Sequence, residues 1–128
     1  HDGDGSVYLR VPIYAADTEA AALEEPRENI IYYFERQARL VAASSPKGGS
    51  AARANTAATL SALSYDDILR DRVAFGTATR LIDRINEWRE VLGIDGITAE
   101  MNAGGMLSEP QVTNSLRIIT RDVMPAFK

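Results

Sequence analysis

An α/β fold built on a parallel sheet is what this chain of 128 residues predicts. Three observations carry that expectation. Short apolar runs alternate with amphipathic helical patterns, the arrangement of βαβ units. The first run, VYLRVPIYAAD at residues 7–17, is nearly continuously apolar, which suits a strand buried on both faces as in parallel sheets. A 45% hydrophobic and 25% charged composition is that of a globular chain, and the length corresponds to one domain at most.

Each element follows in order. Pro12 cannot donate to a ladder, so the regular strand should begin there or its pairing be interrupted. Asp17 or Thr18 caps a helix formed by EAAALEE, and Pro26 either ends that helix or opens the next. The segment RENIIYYFERQARLVAA places Ile30, Ile31, Phe34, Ala38 and Val41 on one helical face. Residues 44–65 then change character: rich in Ser, Ala and Gly and without an acidic residue, they read as a mobile insertion. Ser64 with Asp66 and Asp67 opens a short helix, and Val73-Ala74-Phe75 is a short strand halted by Gly76.

Thr77 caps a helix whose stripe is Leu81, Ile82, Ile85, Trp88, Val91 and Leu92, and Gly93 ends it. The strand at residues 94–102 sets Ile97, Ala99 and Met101 on one face and Thr98, Glu100 and Asn102 on the other. Ser108 and Gln111 form a capping box with Pro110 in the first turn. The last helix carries Val112, Leu116, Ile119 and Val123, and Pro125 stops it.

Composition narrows the chemistry. Cysteine is absent and the only histidine is His1, which excludes disulfides, thiolate nucleophiles, Cys-ligated or multi-histidine metal sites and a Ser–His–Asp triad within these residues. Fourteen basic against eighteen acidic residues give a net charge of −4, so nucleic acid is not an expected partner. No apolar run reaches the roughly 18 residues of a membrane span. A cytoplasmic location without membrane attachment is the expectation.

Three short strands cannot manage both faces and both edges of a parallel sheet. A (β/α)₈ barrel has eight such units over about 250 residues, and this chain supplies about three. The pattern favours the C-terminal βα units of a TIM barrel over a complete doubly wound domain, leaving a small three-layer fold open.

The residues also resemble a family. VPIYAADTEAAA resembles the "vyvAeTdeeA" segment of the bacterial luciferase-like flavin-dependent monooxygenases. VAFGTATRLIDRINEWREVLGIDGI is similar to that family's "GtPeeVadrl…lGid" strand–helix–strand, and AEMNAGGMLSEPQVTNSLRIITRDVMPAFK to its closing segment. Asn102, Gly104, Gly105, Ser115, Leu116, Val123 and Pro125 carry most of the likeness, while Ala78-Thr79 departs from the family's usual Pro-Glu. The resemblance implies that residues 1–128 are the C-terminal part of a single luciferase-like barrel domain. It implies reduced FMN, supplied by a flavin reductase, with dioxygen and a small organic substrate, or deazaflavin F420 in hydride-transfer branches. Catalytic residues would belong to earlier strands, so none is assigned here.

Four residues are candidates for cofactor contact. Gly76 and Thr77 sit where a strand hands over to a helix N-terminus, whose N–H groups can hold an anion or simply form a capped turn. Glu100 and Asn102 share one face at the C-terminal end of the last strand, where a barrel keeps its active site, but can equally brace the rim. Lys47 and Arg53, in the insertion, can close over an anionic cofactor or substrate, or lie on a solvated loop. Tyr32, Tyr33, Phe34 and Trp88 are expected to pack. A different class of function is a non-catalytic module that completes its sheet by pairing with itself or a partner.

Overall fold

The structure, a computed structural model, describes residues 6–43, 58–60 and 62–127. The insertion therefore lies largely outside the described residues, and Lys47 and Arg53 with it.

Strand β1 (Tyr8–Ala15) leads into α1 (Glu19–Glu24) and α2 (Arg27–Ala43). Helix α3 (Tyr65–Asp71), strand β2 (Ala74–Gly76), helix α4 (Ala78–Leu92), strand β3 (Gly96–Glu100) and helix α5 (Glu109–Ile118) follow. A π-type turn, Ile119–Val123, and a 3₁₀ turn, Met124–Phe127, continue α5. The fold is α/β with a three-stranded parallel sheet interleaved with helices, and its strand order is β2-β1-β3. Strands wound around a barrel in simple chain order would place the second between the first and third. Here β1 takes the middle, and closure into a barrel is not part of the described structure.

The two ladders use different parts of β1. Tyr8 to Pro12 pair with Gly96 to Glu100 of β3, whereas Ile13 to Ala15 pair with Ala74 to Gly76 of β2. Pro12 thus lies inside the central strand rather than at its start. Ala16 N–H bonds the Gly76 carbonyl at 3.3 Å, and successive N–H groups point to alternate edges. The edge that Pro12 leaves without a donor is therefore the one that β2 reaches only from Ile13 onward. The expected interruption is a change of neighbour that costs no ladder bond.

Alternation along β1 feeds two cores. Val11, Ile13 and Ala15 pack with Ala74, Leu81, Ile85, Trp88, Ile118 and Val123 on the face of α4 and α5. Tyr14 and Ala16 pack with Ala22, Ile30, Phe34, Ile68 and Phe75 on the face of α1 to α3. The C-terminal half of β1 is consequently buried on both faces, as its apolar run demands.

Caps set the helix starts. Thr18 Oγ1 accepts from Ala21 N–H, Ser64 and Asp67 form a capping box, as do Ser108 and Gln111, and Thr77 accepts from Arg80 N–H. Gly93 closes α4 at φ 65°, the left-handed region in which glycine has no Cβ penalty.

Two predicted stripes shift. Leu116 is 48% exposed, while Ser115 is fully buried. Ser115 Oγ accepts the Ala15 N–H at 2.9 Å, which turns that side of α5 toward the sheet. The wider π-type turn then brings Ile119 and Val123, four residues apart, inward together. In α4, Val91 and Leu92 are exposed at 75% and 54%. They fall in its last turn, beside the start of β3, where cover runs out.

Candidate functional site

The four candidate cofactor residues fall at the C-terminal ends of the strands, but on opposite flanks of β1. Gly76 and Thr77 end β2, whereas Glu100 and Asn102 end and follow β3. The central strand β1 lies between the two pairs.

At the β2 end, the Thr77 hydroxyl is occupied by its own helix as the acceptor for Arg80 N–H at 3.5 Å. Gly76 is buried beneath Arg80, and a Cβ there would lie 2.6 Å from Arg80 Cγ. The Arg80 guanidinium points instead to Glu19, 3.9 Å away. The arrangement is a capped turn under an arginine stem. A cleft of about 650 Å³ opens beside it, between α1, α3 and α4, where Phe75 meets Arg80, Arg84, Glu19, Asp83 and Glu87. Arg84 is committed to structure: it donates to the carbonyls of Arg70 at 2.6 Å and Val73 at 3.2 Å, and lies 4.5 Å over the Trp88 ring.

At the β3 end, Glu100 accepts from Arg10 Nε at 3.1 Å, joining the paired strands on the face that also carries Thr98. Burial holds the Tyr33 hydroxyl above its ordinary value, and the nearby Glu100 charge adds to that shift. Arg10 keeps a largely exposed side chain, so the pair contributes about 0–1 kcal/mol. Asn102 spends both ends of its amide on the loop after β3, donating to Leu107 O at 3.3 Å and accepting from Leu107 N–H at 3.1 Å. Its geometry is that of a rim brace.

Asn29 carries no motif that marks it in the sequence. It is 4% exposed, and its Oδ1 accepts the Met106 N–H at 2.8 Å. A Cβ on Gly104 would run into the Asn29 backbone carbonyl, so this glycine serves close approach of the loop to α2. The only sequence cue was a polar residue beside Ile30 at the start of a buried face. Gly105, at φ 73°, supplies the turn itself.

On the face of β3 that carries Ile97 lies a second cleft of about 510 Å³, lined mostly by apolar side chains including Ile13, Ile94, Ile97, Ile119, Met124 and Phe127. None of the five residues of β3 is buried. Among the described residues no group of three or more His, Asp or Glu side chains is placed to hold a metal, and no helix is long and apolar enough to cross a membrane.

Gly76 and Thr77 thus shape a capped turn, Asn102 braces a loop and Glu100 holds a strand pair, the two pairs lying on either flank of β1. No family model and no curated protein matches the chain.

Proposed function

We propose that this chain is the C-terminal sector of a luciferase-like flavin-dependent monooxygenase, and that it contributes barrel wall and rim rather than catalytic groups. The observation that carries the proposal is β3: a strand in a parallel sheet with no buried residue. Parallel strands occur almost only with both faces covered, so this one needs further cover. One row of the pair, Thr98 and Glu100 beside Arg10, is polar, and the other face of β3 opens on the cleft. The sequence likeness supplies the identity of the larger fold.

The strand order refines the sector. β1 and β3, paired over five residue positions, are the neighbouring wall strands. β2, three residues long and paired only with the last three of β1, is a rim strand. The sector then contributes two wall strands instead of three. Reduced FMN, delivered by a flavin reductase, with dioxygen and a small organic substrate would be the reactants of the whole enzyme. Deazaflavin F420 with hydride transfer is the alternative within the same resemblance. The chain's own role is positional: Asn102, Gly104 and Asn29 shape the loop at the C-terminal end of β3, the end at which barrels act.

A second reading rests on the same bare strand: a non-catalytic module completing its sheet against a partner or a second copy. The encoding reading frame upstream of His1 separates the two. The sector proposal expects about six further βα units there, the rest of an eight-stranded wall. It also expects flavin-dependent oxygen consumption by the longer polypeptide and none, above free reduced FMN, by residues 1–128. Turnover by residues 1–128 alone, or an upstream frame without such units, contradicts it.

A further inference from the structure

We draw no further inference here: the strongest candidate, the apolar cleft of about 510 Å³ on the face of β3 that carries Ile97, belongs to the incompletely covered strand already described, and nothing in the structure shows what covers it.

Discussion

The two halves of β1 live in different environments although one apolar run encodes both. Val11 to Ala15 are buried on both faces, whereas Tyr8 and Arg10 are exposed and their partner strand β3 has no buried residue. The sealed half has helices on each side and a substitute for missing strand contacts: Ser115 takes the Ala15 N–H where β3 no longer runs. The open half relies on β1–β3 ladder bonds, one exposed ion pair, and the Val7–Asp95 backbone bond of 2.7 Å. The lesson is that parallel pairing alone does not bury a strand. Cover comes from crossover helices, and here it is complete over only one half, Leu9 and Ile97 being partly buried against the core on the α4 and α5 face.

Substitutions in the two cores should expose that contrast most strongly. Leu81 is fully buried against β1, so Leu81→Ala should cost about 2–5 kcal/mol. Ile97, half-buried beside the open cleft, should cost about 1 kcal/mol or less when cut to Ala, since a site facing solvent loses little transfer energy and leaves no closed cavity. Chemical denaturation of both variants checks the ratio. Equal losses would mean that the open half is covered in solution.

Next in size is Ser115→Ala. It leaves the Ala15 N–H buried without its acceptor, at a cost of about 1–3 kcal/mol. Ser115→Thr keeps the hydroxyl but adds a methyl at a site with no exposed surface, so recovery should be partial. If Ser115→Ala unfolds at the parent's denaturant midpoint, the hydroxyl is not substituting for a strand.

How much of this was legible in the sequence divides along the same line. Helix and strand positions followed from period and caps: Thr18, Thr77, Ser64–Asp67, Gly93 and Ser108–Gln111 act as their residue types suggest. The strand order did not follow, because a three-residue β2 carries no register information of its own. Pro12 marked the change of neighbour along β1, although the strand pattern cannot say which edge its missing donor faces. Leu116 misled because a π-type turn breaks the 3.6-residue period on which the stripe was drawn. At the candidate site, the placement of Glu100 and Asn102 at the end of a strand was legible. That Asn102 is spent on Leu107, and Glu100 on Arg10, depends on tertiary contacts that no local pattern encodes.

The smallest expected effect is alkaline. The Tyr65 hydroxyl donates to the Leu23 carbonyl, and burial chiefly pushes its pKa up to about 12 from an ordinary 10.0. Tyr14, buried and donating to Glu25 Oε1 at 2.5 Å, is raised in the same direction, again chiefly by burial. Because the folded state holds these protons more tightly than the unfolded state, their contribution is complete below pH 10.0 and declines as pH rises through the folded value. The thermal midpoint should therefore fall between pH 10.0 and about 12, and Tyr65→Phe should flatten part of that slope. An unchanged slope in the variant removes Tyr65 from the account.

Native-state hydrogen exchange compares the halves directly. The amides of Ile13 to Ala15 and of β2 should exchange only with global unfolding. Those of β3 should exchange through local opening, with protection lower by roughly tenfold or more. Uniform protection across all three strands would contradict a half-sealed sheet, and with it the proposal that further βα units are needed to cover β3.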